Sequence, residues 1–527
     1  MLLLFQANTL FNLADLQMIA PELILSVIAC VVLVMEVILP YKLGKVTAYF
    51  SLIGIALAFA SLFLLWSGNR DNLPLTGFYG MIRIDGFAIV FKGIFLISAA
   101  LAIAIATRYL DIEGEQHGEY YALILFATVG MMFLGSGYDL ISLYIALELM
   151  AVTFYVLVAF TKRQKPSNEA AMKYFLLGAF SSGILLYGMS LLYGVTGSTN
   201  LGEIGTSVGA ALTSIRAEGA ASEIAGLRPI LLLGMIALGA GLFFKIAAVP
   251  FHMWAPDAYE GAPTSVTAFL STGSKAASFA LYARIFFVAL APMRIEWAPL
   301  LGIVAALTIV VGNWAAVTQE NSKRLLAYSS ISNAGYLLLA LVANNKYGNI
   351  GLVIYLLVYV CMNMGAFGIV ISLRRRGIIG DNVDDMTGLA HKAPGMAAMM
   401  GIFMLSLGGL PGTGGFIGKY FLLWGLFDRA RTDGKNWYYW LAGWAVINIV
   451  VSFYYYIRFI KVMYLGDRVA DERPLSLSPA LRSALIVSLI GIVVIGVYPQ
   501  PFIAIAQKLF PPIAAISSQA LKSPALK

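Results

Sequence analysis

The chain has 527 residues, of which 60% are hydrophobic and only 12% are charged, and its mean hydropathy is +0.84. Soluble domains carry about 25% charged residues, so this composition excludes a soluble globular protein and predicts a polytopic membrane protein. The net charge of +8 does not indicate a nucleic-acid partner, because basic residues in membrane chains mostly mark loops on the cytoplasmic face.

Fourteen apolar stretches are each long enough to cross about 30 Å of hydrocarbon as an α-helix. The sequence therefore predicts an all-α protein of about fourteen transmembrane helices, forming a single transmembrane domain over residues 1–527. Its longest polar connection, residues 196–227, is too short to bury a core of its own. In chain order the predicted spans are 18–39, 45–66, 86–107, 119–137, 138–160, 170–195, 230–256, 263–290, 298–318, 324–343, 348–373, 396–428, 437–464 and 482–506.

The distribution of basic residues predicts the orientation in the membrane. Loops that follow odd-numbered spans hold 15 Lys and Arg residues, whereas loops that follow even-numbered spans hold 9. Because cytoplasmic loops carry the excess of Lys and Arg, we expect both termini on the non-cytoplasmic face.

The spans also predict an internal symmetry. Spans four to eight (118–290) and nine to thirteen (298–465) form two runs of five, flanked by 18–107 and 482–506. The fourth member of each run carries a proline near a lysine, so we expect helices 7 and 12 to be broken. Because five is odd, the second run enters the membrane from the opposite side, which is the pattern of inverted repeats around a transport site.

Each predicted break exposes backbone polar groups beside a charge. Pro250 removes the donor for the Ile246 carbonyl, next to Lys245, and Pro411 frees the Leu407 carbonyl ahead of Lys419. Irregular backbone at membrane depth is tolerated only where it is buried in protein or lines water. The sequence therefore predicts a hydrated polar path between the lysines.

Four charged residues are candidates for that path: Glu148, Lys245, Lys275 and Lys419. A lysine at the bilayer centre costs about 2.5 to 3.5 kcal/mol on insertion scales, so it normally faces a partner or a wet cavity. Lys275 lies about a dozen residues, or roughly 18 Å, from either end of its span, which is too far for its ammonium to reach the interface. We expect Glu148 to pair with Lys245, either as a switch that changes how tightly the lysine holds its proton or as a static ion pair.

Other polar residues have simpler interpretations. His252, just after Pro250, is a possible proton-access residue, although a lone histidine at a helix end is often only hydrogen-bonded. Lys92 and Arg284 lie near enough to span ends that we expect them to snorkel to the interface. Cys30 and Cys361 have no C-x-x-C spacing, so the sequence supports neither a zinc site nor an iron–sulfur cluster, and we expect no metal or redox centre in this chain.

Three stretches resemble a known family. Residues Phe243–Tyr259, Lys323–Ile331 and Leu410–Lys419 are similar to the antiporter-like membrane subunits of complex I, and the likeness spans essentially the whole chain. Within that family the chain most resembles the subunit 2 type of NAD(P)H-quinone oxidoreductases of cyanobacteria and plastids.

This resemblance implies a proton-translocating subunit of a large hetero-oligomeric complex that also contains other antiporter-like subunits. The quinone (plastoquinone), the iron–sulfur clusters and the electron donor, NADH, NADPH or ferredoxin, are expected in partner subunits and not in this chain. The resemblance also implies a thylakoid membrane with lumenal termini, and it maps the proton relay of the family onto Glu148, Lys245, Lys275 and Lys419.

Two alternatives remain open at the sequence level. The same inverted repeats occur in standalone cation/proton antiporters, which would exchange sodium for protons as single chains. A structural scaffold that only holds a complex together in lipid would tolerate polar substitutions at all four buried charges.

Overall fold

A computed structural model describes residues 13–39, 44–218, 226–374, 380–466, 475 and 477–509. Within these ranges the chain forms a bundle of helices with one small hairpin. Long apolar segments fold into helices in lipid because a helix satisfies every backbone polar group within the segment.

The first half of the chain contains three early spans, a hairpin and the first run of five. Its elements are α1 (Leu13–Met18), α2 (Ala20–Ile38), α3 (Gly44–Gly68), β1 (Leu75–Gly77), β2 (Ile82–Ile84), α4 (Gly86–Glu113), α5 (Gly118–Ser136), α6 (Leu140–Val158), α7 (Lys165–Thr196), α8 (Leu201–Glu218), α9 (Leu227–Ile246), α10 (Trp254–Gly261), α11 (Thr264–Phe269) and α12 (Lys275–Arg284). A five-residue π-helical turn, Leu270–Ser274, joins α11 to α12, and a second π turn, Ile285–Ala289, continues α12.

The second half contains the other run of five and the last span. Its elements are α13 (Arg294–Val317), α14 (Ser322–Ala343), α15 (Lys346–Leu373), α16 (Leu389–Lys392), α17 (Pro394–Gly408), α18 (Gly414–Asp433), α19 (Trp437–Leu465), α20 (Pro479–Val497) and α21 (Gln500–Leu509).

Every predicted span has a counterpart in the structure. Within the described ranges, twelve helices are long and apolar enough to cross a membrane as single elements. The two remaining predicted spans, the eighth and the twelfth, are interrupted: the eighth by the π turn between α11 and α12, which was not predicted, and the twelfth by the gap between α17 and α18. The predicted seventh span, 230–256, is also broken, because α9 ends at Ile246 and α10 begins only at Trp254. The predicted breaks in helices 7 and 12 are therefore confirmed, whereas the inverted symmetry of the two runs stays a prediction.

Polar residues at the helix ends set where the spans begin. The Asp85 carboxylate accepts the backbone N–H of Ala88 at 2.9 Å and starts α4. Asp139 caps α6 in the same way, and Asn321 caps α14. Such side chains satisfy amide groups that have no partner in the first helical turn.

Three features of the connections were not predicted. The segment predicted as a polar connection, 196–227, contains the 18-residue helix α8. The loop before α4 forms the small antiparallel hairpin β1–β2, in a fold that is otherwise α-helical as predicted. The last predicted span, 482–506, ends at Val497, and a separate short helix follows from Gln500, after Pro499 interrupts the chain.

Helices α14 and α15 lie at the centre of the bundle. In each of them 94% of the most apolar window is buried inside the protein, against 28% for α2 at the periphery. Polar side chains on α14 are therefore enclosed by protein and not by lipid, which places them where a polar path can exist.

Candidate functional site

Lys245 lies in the last turn of α9, where the predicted break occurs. The helix ends at Ile246, and Ala247 takes a left-handed conformation with φ of 57°. The Phe244 carbonyl freed at this end accepts the indole N–H of Trp254 at 2.9 Å. The ammonium of Lys245 is buried and has no hydrogen-bond partner in the structure.

Glu148 lies on α6 and is the predicted partner of Lys245. The two groups do not form an ion pair within 4.0 Å in the structure, so a static pair is not present. One carboxylate oxygen of Glu148, Oε1, is buried without a hydrogen-bond partner among the described residues, as is the Lys245 ammonium.

Lys275 follows directly after the π turn and reaches across to the second run of helices. Its Nζ donates to both the Oγ and the backbone carbonyl of Ser330 on α14, each at 2.5 Å. The ammonium also lies 5.9 Å from the centre of the Tyr359 ring, a cation–π distance. A lysine from the first run is thus held by groups of the second run.

A cluster of uncharged polar side chains continues from this contact. Ser329, the neighbour of Ser330, shares a hydrogen bond of 2.6 Å with the Tyr456 hydroxyl of α19. The Asn333 amide lies 3.4 Å from both of these oxygens, and its carbonyl oxygen accepts the Tyr355 hydroxyl at 2.6 Å. The four side chains connect α14, α15 and α19 in the buried centre of the bundle.

Lys419 lies in the second turn of α18, beyond the other helix break. Its Nζ donates to the Leu407 carbonyl at 2.7 Å and to the Gly408 carbonyl at 3.2 Å. The prediction that Pro411 would free the Leu407 carbonyl near an ammonium is therefore confirmed. The ammonium also faces the Tyr336 ring of α14 at 4.9 Å.

The turn that carries Lys419 packs closely against the polar cluster. A Cβ added at Gly418 would lie 2.5 Å from the Tyr355 side chain, so no larger residue fits there without a shift. This close approach places α18 directly against Tyr355, whose hydroxyl belongs to the cluster. Lys275 and Lys419 thus lie at the two sides of one polar region.

His252 and Pro250 lie in the linker between α9 and α10. The imidazole is half-buried, and its Nδ1 is buried without a hydrogen-bond partner. His252 therefore lies beside the break that follows α9, the helix that carries Lys245, as the sequence predicted.

Two predicted snorkelling residues are instead buried and paired, because acidic residues on other elements reach them. Lys92 is fully buried and forms an ion pair of 2.6 Å with Glu22 on α2, which is 1% exposed. Arg284 makes two hydrogen bonds of 2.7 Å to Asp85 and two more to the Gly135 carbonyl. Their short distance from the span ends suggested access to the interface, but Glu22 of α2 pairs with Lys92, and Asp85 at the start of α4 and the Gly135 carbonyl of α5 hold Arg284.

Buried polar atoms that lack a hydrogen-bond partner near the lysines indicate internal water. Unpartnered buried polar atoms in proteins usually mark ordered water or a functional site. Here Lys245 Nζ, Glu148 Oε1 and the Tyr155 hydroxyl have no hydrogen-bond partner. In the part of the chain that the structure describes, no group of three or more His, Cys, Asp or Glu residues is arranged to hold a metal ion.

A comparison with protein-family models identifies the family to which the chain belongs. A family model described as "NADH:quinone oxidoreductase/Mrp antiporter, TM" matches residues 137–443, which include all four candidate relay residues. The chain belongs to this family. The match covers both runs of five helices except α5 at the start of the first and most of α19 at the end of the second, so the family resemblance inferred from the three sequence stretches is confirmed.

Relatives of this family member extend over nearly its full length. It is 44% identical over 501 residues to NADH-quinone oxidoreductase subunit N 2 of Solibacter usitatus, covering 94% of the chain and 98% of that relative. It is 47% identical over 505 residues to subunit N 1 of Koribacter versatilis, covering 94% and 95%.

Solved structures agree with this assignment. A chain of respiratory complex I from Thermus thermophilus superposes with a TM-score of 0.74 at 33% identity, covering 92% of this family member and 99% of that chain. A chain of the Mrp complex from Dietzia sp. DQ12-45-1b, with a TM-score of 0.76 at 20% identity over 95% and 99%, shares the fold.

Sequence reasoning missed several residues of the polar region. Tyr355, Tyr456 and Tyr336 lie in apolar helices, where a tyrosine more often packs as an amphipathic core residue than lines a path. The run of polar residues from Ser329 to Asn333 was visible in the sequence, but its partners were not.

Proposed function

We propose that this chain is the proton-translocating antiporter-like membrane subunit of an NADH-quinone oxidoreductase, working like the subunits N to which it is similar. Electron transfer and quinone reduction take place in partner subunits, which hold the iron–sulfur clusters, the quinone and the electron donor. This chain moves protons along Glu148, Lys245, Lys275 and Lys419.

The observation that carries this proposal is the coordination of Lys275. The Lys275 ammonium donates both of its hydrogen bonds to Ser330, an uncharged residue of the second helical run. No carboxylate of the described residues lies within ion-pair distance of it. A buried lysine held by neutral acceptors is poised to lose and regain its proton, because burial disfavours the charged form and no counter-ion holds it in place.

The steps of the relay follow from the contacts. Closure of the Glu148–Lys245 pair favours the protonated lysine, and its reopening favours release toward Lys275. From Lys275 the proton crosses the hydroxyl and amide groups of Ser330, Ser329 and Asn333, with water completing the gaps. Lys419, held by the two carbonyls of the broken helix, receives the proton at the far side.

The conformational elements that could drive these steps lie next to the lysines. Lys245 and Lys419 are each within a few residues of a helix break, and Lys275 follows a π turn. Interruptions of this kind are frequent at functional sites and allow a side chain to move without unfolding the helix.

The proposal is tested in the assembled complex. Lys419→Met should abolish proton pumping linked to this subunit while the complex still assembles, measured by quenching of a pH-sensitive dye in proteoliposomes during NADH oxidation. The control is the double variant Glu22→Gln/Lys92→Met, which removes a buried lysine outside the relay and should pump normally. Unchanged pumping in Lys419→Met would remove Lys419 from the path.

The standalone antiporter is separated from this proposal by a second assay. The purified single chain in liposomes should show no sodium-dependent proton exchange, whereas an antiporter would show it without partners. The scaffold alternative is separated by Lys419→Met itself, because a scaffold would keep pumping intact.

The finer setting is also a proposal. The relatives named above are bacterial subunits N, so a cyanobacterial or plastid subunit 2, a thylakoid location with lumenal termini, plastoquinone as acceptor and NADPH or ferredoxin as donor stay predictions. Purifying the complex in mild detergent and measuring which donor it oxidises and which quinone it retains would test them.

A further inference from the structure

A cleft of about 270 Å³ opens at one end of the bundle, where α13 begins, α18 ends and α19 begins. It lies away from the relay residues. One wall is apolar, formed by Ile295, Ala298 and Pro299 of α13, and the opposite side carries Asp433, Lys435 and the aromatic rings of Trp437 and Tyr438.

The charges around this cleft are predominantly positive. Arg294 and Arg429 both contact the Asp433 carboxylate, at 3.3 and 3.4 Å. Lys435 lies on the exposed turn between α18 and α19 and forms no ion pair within the described chain. Asp433 thus faces two arginines, and Lys435 adds a third positive charge; Glu296 faces Arg228 at 4.0 Å.

Two cations of the cleft remain partly open to solvent. Arg294 donates to Asp433 and to the Tyr438 hydroxyl, and its side chain is still 23% exposed. The Tyr438 hydroxyl in turn donates to Asp433 at 3.0 Å. A phosphate in the cleft would lie beside the exposed part of the Arg294 guanidinium and would neutralise Lys435.

The apolar side continues onto the outer surface of the bundle. Ile295 is 62% exposed and Trp440, one turn beyond Trp437, is 80% exposed. Aromatic side chains at span ends are typical of the membrane–water interface. A ligand in this cleft thus has a charged end among Arg294 and Lys435 and an apolar end along α13 and Trp440.

We propose that this cleft binds the headgroup of an anionic phospholipid, with the phosphate against Arg294 and Lys435 and an acyl chain along the apolar surface of α13. Arginine and lysine side chains both bind phosphate groups through charge-assisted hydrogen bonds. The site is independent of the proposed proton relay, since no relay residue lines it.

The test uses the whole complex in phosphatidylcholine nanodiscs with a trace of photoactivatable phosphatidylglycerol. Crosslinked peptides should include residues 294–299 and 435–440, and unlabelled phosphatidylglycerol should compete. Because it removes a charge-assisted hydrogen bond to the phosphate, Lys435→Gln should lower labelling of these peptides about tenfold. Arg431→Gln, which removes an exposed charge from the same end of α18 but lies outside the cleft, should leave labelling unchanged.

Several results would overturn the proposal. Equal labelling by a phosphatidylcholine probe would show apolar contact without charge recognition, and competition by millimolar inorganic phosphate would show a site for the free anion. Crosslinking of the cleft to another protein subunit would show a protein interface. An equal effect of Lys435→Gln and Arg431→Gln would show only a general surface-charge effect. Lys435 is exposed, so its replacement leaves folding intact and the comparison interpretable.

Discussion

Replacing Ser330 by alanine is the sharpest test of the relay because it removes one of the two acceptors that Lys275 has among the described residues. The Lys275 ammonium donates to the Ser330 Oγ and to the Ser330 carbonyl, each at 2.5 Å. A hydrogen bond to a charged group contributes about 1.5 to 3 kcal/mol. The carbonyl remains in the variant, so we take the lower end of this range for the loss in the protonated state of Lys275.

A loss of about 1.5 kcal/mol corresponds to roughly a tenfold change in rate if protonated Lys275 lies on the limiting path. The assay is the number of protons moved per electron pair, and their initial rate, in proteoliposomes containing the assembled complex. Ser332→Ala is the matched control, since the Ser332 hydroxyl donates to the Ser329 carbonyl of its own helix at 2.9 Å and does not contact Lys275. Equal pumping by the Ser330 and Ser332 variants would refute the role assigned to the Lys275–Ser330 contact.

Three further predictions concern the same bundle. Tyr355→Phe removes the 2.6 Å hydrogen bond to the polar cluster and should lower the pumping rate about threefold to tenfold at unchanged complex yield; wild-type pumping would place Tyr355 outside the path. Lys92→Met leaves the Glu22 carboxylate buried without its partner and should destabilise the chain by about 3 to 5 kcal/mol, whereas Glu22→Gln/Lys92→Met should recover most of the melting temperature. If the single and double variants have the same melting temperature, the unpaired charge of Glu22 has no net effect on stability. Burial alone would raise the pKa of Asp85, but attraction to Arg284 lowers it below its ordinary value of 3.8. The contribution of Asp85 to stability is therefore complete above pH 3.8, and it is lost only as the pH falls further through the lower folded-state pKa. A loss of the Asp85 contribution between pH 7 and 5, measured against Asp85→Asn, would contradict this.

Features that depend on local chemistry were predictable from the sequence. Span lengths follow from apolar runs that must satisfy their backbone groups internally, and twelve of them appear as continuous helices within the described residues. Pro411 predicts a free Leu407 carbonyl, because a proline has no N–H to donate to the carbonyl four residues earlier. The structure then shows Lys419 donating to that carbonyl.

Features that depend on which helices touch were not predictable. In the sequence, Lys92 and Arg284 resemble residues that reach the interface, and only the packing of α2 and of the start of α4 supplies Glu22 and Asp85 as their partners. The amphipathic helix α8 fell within a segment whose Gly and Ala content suggested a loop.

The sequence by itself determined where this chain crosses the membrane, where its helices break and which ionisable groups are carried to membrane depth, since each of these follows from a run of neighbouring residues. Only the tertiary structure decided what two of those groups meet: Lys275 donates to Ser330, and Lys245 has no hydrogen-bond partner among the described residues. The physical reason is that the Lys275 ammonium takes its properties from acceptors 55 residues away in sequence, which come within 3 Å only when helices α12 and α14 pack together.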